Sequence, residues 1–358
     1  MSDAFVPRHG DTPSEVPGDP SGDSSGPGPT GPHPAPPAVS GTDGDARTAL
    51  NAVREEVAKV VVGQDGVVTG LLIALLARGH VLLEGVPGVA KTLLVRSLAA
   101  ALDLDTRRVQ FTPDLMPGDI TGSLVYEQHH DAFAFREGPV FTNLLLADEI
   151  NRTPPKTQAA LLEAMAERQV TVEGLSRMLP TPFLVAATQN PVEYEGTYPL
   201  PEAQLDRFLL KLHVGLPDRD DEIEVLRRHA SGFDPADLTS TGVRPVAGAD
   251  AVAAASLAVA GVAVSREVGE YIVDVVRATR SLPSVALGVS PRGATALLAT
   301  SRAWAWLDGR DFVTPDDVKA LAHPTLAHRL VLRTEAELDG VTARDALDGA
   351  VGSVAVPR

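Results

Sequence analysis

Over residues 1–45 the chain has no hydrophobic rhythm: Pro, Gly, Ser and Asp follow one another with almost no large apolar side chain between them. Such a stretch buries too little surface to offset the entropy of ordering and reads as a disordered tail. Its proline-rich run G-P-G-P-T-G-P-H-P-A-P-P reads as an extended tail rather than a recognition ligand. From Arg47 the pattern changes. Residues 49–61 repeat apolar positions at helical spacing, and 71–77 continue as an apolar helix. H-V-L-L-E at 80–84 is a short buried strand, and 93–102 returns to helix. Strand-like and helical segments then alternate to about residue 216, as in a parallel sheet covered by helices. Beyond Pro217 the segments 218–230, 266–280, 292–307 and 315–329 read as helices with little strand between them. These patterns predict an α/β domain over 46–216 and a smaller all-helical domain over 217–335. Residues 336–358 form a C-terminal extension whose end, G-A-V-G-S-V-A-V-P-R, reads as frayed.

Composition narrows the picture. The formal net charge of −16 speaks against wrapping the phosphate backbone of a nucleic acid, as does the lack of an aromatic-basic patch. No apolar run is long enough to span a membrane, and the N-terminus lacks the basic-then-apolar order of a signal peptide. With no cysteine there is neither a disulfide framework nor a thiolate zinc site. Together these features point to the cytoplasm.

Chemistry enters at G-V-P-G-V-A-K-T, which runs from a predicted strand into a predicted helix. It is nearly the phosphate-binding pattern G-x-x-x-x-G-K-[ST], with Ala90 in place of the second glycine. In that context Gly85, Val86, Pro87, Gly88, Val89, Ala90, Lys91, Thr92 and Leu93 form a phosphate cradle of loop amides and helix N-terminus. Lys91 would reach the β and γ phosphates, and the Thr92 hydroxyl would ligate Mg²⁺. Alone, the same residues also make a Gly-Pro turn with an ordinary lysine.

A second motif weighs against that turn. L-L-L-A-D-E-I-N is an apolar strand that emits Asp148 and Glu149 at its C-terminal end, where ligands bind in open α/β sheets. Asp148 would hold Mg²⁺ and Glu149 would polarise the attacking water. A third strand, F-L-V-A-A-T-Q-N-P, ends in Asn190, a neutral amide suited to the lytic water or the γ-phosphate. Arg207, in P-L-P-E-A-Q-L-D-R-F, is a candidate arginine finger for a neighbouring subunit. Arg292, in G-V-S-P-R-G, would contact the γ-phosphate from the helical domain, on a helix that Ser290 caps and Pro291 opens. Either arginine also suits a plain surface ion pair.

In this order the motifs resemble the MoxR-type ATPases of the AAA+ class, relatives of the magnesium-chelatase ATPase subunit. The resemblance spans about residues 49–332. It rests on V-V-G-Q, G-V-P-G-V-A-K-T, R-V-Q-F-T-P-D-L-M-P-G-D-I-T-G, G-P-V-F-T-N-L-L-L-A-D-E-I-N-R, A-L-L-E-A-M-A-E-R-Q-V-T-V, A-T-Q-N-P, P-E-A-Q-L-D-R-F and T-P-D-D-V-K-A-L-A-H-P. It implies a P-loop NTPase core with a parallel sheet, a smaller all-helical lid, and ATP hydrolysis with Mg²⁺ in a cleft between the two. Gly63 and Gln64 would lie against adenine and ribose. An insertion at 124–136 and a β-hairpin at 169–179 would face the pore of a homo-hexamer that remodels client proteins or matures them by metal insertion. A von Willebrand A domain protein is the implied partner. Arg152 is open between a subunit contact and a local salt bridge. His129 and His130 alternate in direction and make a poor metal pair. A nucleotide-sensing scaffold with negligible turnover, and a nucleic-acid motor, are the competing readings. The resemblance also favours Ala90 as the start of the helix, where alanine does no harm.

Overall fold

A computed structural model describes residues 42–357, apart from 130, 191–196, 236, 239 and 240. Of the tail predicted over 1–45, residues 1–41 with the proline-rich run lie outside the described residues, as does His130; its last four residues, 42–45, instead open the first helix.

The α/β part begins with α1 (Thr42–Ala58), α2 (Asp65–Leu76), β1 (Val81–Glu84) and α3 (Lys91–Ala101). Next come β2 (Thr106–Gln110), α4 (Pro117–Thr121), a hairpin of β3 (Gly122–Glu127) and β4 (Ala132–Glu137), β5 (Leu144–Asp148) and α5 (Pro155–Glu167). A second hairpin, β6 (Gln169–Val172) and β7 (Leu175–Met178), precedes β8 (Leu184–Gln189), α6 (Glu202–Leu205) and β9 (Leu210–His213). The five long-range strands make one parallel sheet in the order β2-β5-β8-β1-β9. Every residue of β5 is buried, because both faces of the sheet are covered and strict alternation with polar residues is lost. Leu82, Leu145, Ala147, Val185 and Ala187 pack into one core with Phe111, Phe208 and α5. Their neighbours Val81, Leu83, Leu144, Leu146 and Ala186 face the other core.

That second core runs on without a break into the helical part: α7 (Arg219–Ala230), α8 (Ala249–Gly261), α9 (Arg266–Ser281), α10 (Pro291–Leu307) and α11 (Pro315–Leu326). A short antiparallel pair, β10 (Val285–Leu287) and β11 (Val331–Leu332), joins α9 to the chain beyond α11. Helices α12 (Thr334–Leu338) and α13 (Ala343–Ser353) complete the described chain. The helix starts have local causes. Asp218 accepts from the amides of Asp220 and Asp221, while Thr314 and Asp317 form a reciprocal capping box. Ser290 occupies the N-cap position of α10, but its hydroxyl makes no capping bond, so Pro291 alone marks that start.

One expectation fails outright. The end of the chain does not fray: Thr342 and Asp345 box the start of α13, and Ala346, Leu347 and Ala350 are buried against α9 and α11. Three small or medium apolar residues on one turn of spacing were too weak a signal to show an amphipathic helix. Helix α8 escaped the sequence reading for a related reason: its alanine-rich face carries little contrast between sides.

Candidate nucleotide site

The C-terminal ends of β1, β5 and β8 emerge on the same edge of the sheet, and the residues that follow them line a cavity of about 530 Å³. That volume suits a small-molecule ligand. Its polar end is the loop from Pro87 to the first turn of α3, facing Asp148, Glu149 and Asn190. Its apolar end is made by Val60, Val61, Val62, Leu216, Val225 and Phe233.

Gly85 is required where it stands: a Cβ there would lie 2.4 Å from the carbonyl oxygen of Val214, which follows β9. Gly88 has φ +89° and open space around it, a conformation only glycine adopts cheaply. Ala90 is the surprise. It is not part of the helix but sits before it at φ 62°, ψ 23°, in the left-handed region. The expectation of a harmless helix-start alanine is therefore overturned. An L-residue there carries about 1–2 kcal/mol of strain, which the following helix and loop must hold. With Ala90 so turned, α3 starts at Lys91, and Lys91, Thr92 and Leu93 of its first turn line the cavity. The Lys91 ammonium donates to the carbonyl of Gly85 at 2.6 Å, folded back over its own loop.

The two carboxylates are held by different partners. Asp148 is 8 % exposed; its Oδ1 accepts from the Thr188 hydroxyl at 2.6 Å and its Oδ2 from the Arg108 guanidinium at 2.6 Å. The Thr188 hydroxyl in turn accepts from the Glu149 amide at 2.8 Å, so one buried side chain on β8 orients both acids. Glu149 has φ 58°, a second strained residue in the site, which throws its side chain off the strand direction. Its Oε2 accepts from Gln110 at 2.6 Å and lies 3.2 Å from the Arg152 guanidinium. Arg152 thus makes the local salt bridge, the plainer of its two readings.

Sequence reasoning missed Arg108, Gln110 and Thr188. Arg108 and Gln110 sit two apart on an exposed edge strand, a spacing that any solvated face shows. It also missed the apolar wall. Arg228 builds that wall from the helical side, donating to the carbonyls of Ala58 and Lys59 at 3.2 and 2.7 Å and pairing with Glu224 at 2.8 Å. The guanidinium groups of Arg227 and Arg228 hold the Glu224 carboxyl down at about 2. Gln64 lines the cavity and donates to Gly215 at 3.1 Å. Gly63 stands beside the Asp221 carboxylate at φ +72° and does not line the cavity.

Neither candidate arginine reaches this cavity. Arg207 lies just before β9, which runs parallel to β1, so it belongs to the N-terminal edge of the sheet. Four residues of strand at about 3.3 Å each separate that edge from the cavity by roughly 13 Å. Its guanidinium donates to the carbonyl of Leu162 at 2.9 Å. Arg292 lies at that same end, with Nε 3.9 Å from Asp206 Oδ2. Arg292 therefore lies away from its own chain's cavity, because α10 starts on the far edge.

Known proteins share these features over most of the chain. The model of the ATPase family associated with various cellular activities matches residues 80–210, and that of the AAA lid domain matches 277–349. The uncharacterized protein YeaC of Bacillus subtilis is 48 % identical over 313 residues, 87 % of this chain and 96 % of that protein. The chaperone MoxR1 of Mycobacterium tuberculosis is 43 % identical over 339 residues, 91 % of this chain and 87 % of that protein. A crystal structure of a candidate ATPase from Cytophaga hutchinsonii superposes with a TM-score of 0.82 at 42 % identity, covering 88 % of this chain and 97 % of that one. With a strained phosphate loop, an Asp-Glu strand end and a helical lid on a five-stranded parallel sheet, the chain belongs to the MoxR-type AAA+ ATPases.

Proposed function

We propose that this protein binds and hydrolyses ATP in a ring of identical subunits, each nucleotide site being completed by the next subunit. The observation that supports this reading most strongly is the division of groups between the two edges of the sheet. Lys91, Thr92, Asp148, Glu149 and Asn190 share one cavity, whereas Arg207 and Arg292 stand at the opposite edge, where a neighbour's site is the natural target. The apolar wall of residues 60–62, Leu216 and Phe233 takes the base, with Gln64 toward the ribose. The loop amides and the start of α3 take the phosphates, with Lys91 turning from the Gly85 carbonyl to the β and γ groups.

The hard oxygen donors Thr92 and Asp148 both line the cavity and fit Mg²⁺, which would neutralise charge on the phosphates when bound. Asp148 keeps its position through Thr188 and Arg108. Glu149 is the base that orients the attacking water, and Asn190 holds that water or the γ-phosphate without adding charge. Arg207 of the adjacent subunit stabilises the developing charge, with Arg292 beside it.

The same ring would act on other proteins. Leu124, Val125, Tyr126 and Phe133 are exposed on the β3–β4 hairpin, and Leu175 and Met178 on the β6–β7 hairpin. Two hairpins that present apolar side chains to solvent suit a pore that grips an unfolding segment. A chaperone-like remodelling or maturation role follows, in a homo-hexamer working with a von Willebrand A domain protein in the cytoplasm. Among the described residues no helix is long and apolar enough to cross a membrane. Glu149→Gln tests the reading: it keeps ATP binding and lowers turnover at least about tenfold. Equal, negligible turnover in wild type and variant would leave a nucleotide-sensing scaffold instead.

A further inference from the structure

The groups around Arg207 are unusually built for a surface turn. Arg329, in the turn that ends α11, is only 8 % exposed. Its Nε donates to Asp206 Oδ1 at 2.7 Å. Its Nη2 donates to the carbonyls of Phe208 at 2.7 Å and Asp206 at 3.4 Å. Its Nη1 donates to the carbonyl of Leu209 at 3.3 Å and to that of Thr325 on its own helix, and lies 2.9 Å from His328 Nε2. One planar fork thus takes the backbone on both sides of Arg207 while leaving the Arg207 side chain untouched. On its other flank the Arg329 stem supports α10: a Cβ on Gly293 would come within 3.3 Å of Arg329 Cδ. Arg292, one residue earlier, shares the Asp206 carboxylate.

Burying a cation is costly, and an arginine that merely filled space would be better replaced by an apolar residue. Its burial is repaid here by saturating the five donors of a guanidinium, a pattern no lysine reproduces. The carbonyls it saturates flank Arg207, whose own guanidinium rests on the Leu162 carbonyl.

We propose that Arg329 is the positioning residue that fixes Arg207, and with it Arg292, in the stance needed by the neighbouring subunit's nucleotide site. This rests on the reading that Arg207 acts across the subunit boundary. Lid and finger are then coupled: the seating of the turn after α11 against this edge of the sheet sets the stance of Arg207, so the lid's position in one subunit bears on turnover in the next.

Arg329→Met supplies the test, assayed as the full chain. Its own cavity is intact, so the KM for ATP stays within about twofold of wild type while kcat falls roughly 10- to 100-fold, the usual cost of a misplaced group. A structural defect alone would not show the second readout, recovery by mixing. Arg329→Met mixed with Glu149→Gln regains turnover that neither has alone, because the Met variant keeps a competent cavity and the Gln variant keeps a positioned finger. Arg207→Ala mixed with Glu149→Gln is the reference. If the reference pair recovers and the Arg329→Met pair does not, or if folded Arg329→Met turns over like wild type, the proposal is wrong. If the reference pair itself stays silent, the cross-subunit reading fails and takes the proposal with it. Should Arg329→Met not fold, Arg329→Lys, which keeps the charge and loses the fork, is judged by the same two readouts.

Discussion

The two edges of the central sheet are built on opposite principles. At the C-terminal edge strain is concentrated: Ala90 and Glu149 are held in left-handed backbone, and Lys91 folds back on its own loop. At the N-terminal edge the supporting groups are buried. Arg329 spends its donors on carbonyls and Asp206, and His328 and His80 are enclosed. On the proposed reading the first edge receives, turns over and releases a ligand, and its lysine and carboxylates exchange their present partners for it. On the same reading the second edge presents Arg207 to a neighbour, and Arg329 holds the backbone beneath it.

That contrast breaks most visibly at the finger. Arg207→Ala is expected to lower kcat by about a thousandfold or more, with little change in ATP affinity, measured by steady-state ATPase and by nucleotide titration. A matching loss of affinity would place Arg207 in its own chain's binding site and undo the separation. Lys91→Ala should do the converse. It removes about 2–5 kcal/mol of binding, roughly 30- to 5000-fold in Kd, and leaves the N-terminal edge as it is.

The buried histidines sharpen the contrast through pH. Burial, and then the Arg329 charge, pull His328 down to about 3; burial pulls His80 down to about 4. Both are neutral in the fold, and His80 is fully satisfied by the Met165 carbonyl and the Val185 amide. The unfolded chain binds these two protons near pH 6.5 and the folded chain does not, so stability rises with pH across the interval between. Acidification from pH 6 to pH 4 should therefore cost about 1 kcal/mol per histidine per pH unit, read as the urea midpoint at each pH. Replacing His328 with an uncharged residue should remove its share of that slope. The smallest effect belongs to the phosphate loop. Ala90→Gly relieves the left-handed alanine and raises stability by about 1 kcal/mol, with ATP affinity changing less than tenfold.

The C-terminal edge was largely legible in the sequence, because its residues follow apolar strands at short, recognisable spacing. Lys91, Asp148, Glu149 and Asn190 needed only the strand ends to be located, and the cavity brings all four together. What spacing does not carry is backbone hand, so the strain at Ala90 was invisible until the loop closed on Val214. Arg207 was legible as a candidate, but the edge of the sheet on which it lies follows from strand direction, which only pairing of β9 with β1 reveals. Arg329 was not legible at all: in L-A-H-R-L it looks like the polar end of a helix, and its burial depends on carbonyls some 120 positions away. The same limit hid α13, whose buried face becomes apolar enough only when α9 and α11 supply the rest.

On the proposed reading one subunit's C-terminal edge works with another's N-terminal edge. Mixing Glu149→Gln with Arg207→Ala and following phosphate release tests it most directly. Each variant alone is expected to be nearly inactive, and the mixture to recover turnover, since some interfaces then pair an intact Glu149 with an intact Arg207. A mixture as inactive as its components, in rings shown to exchange subunits, would contradict the account.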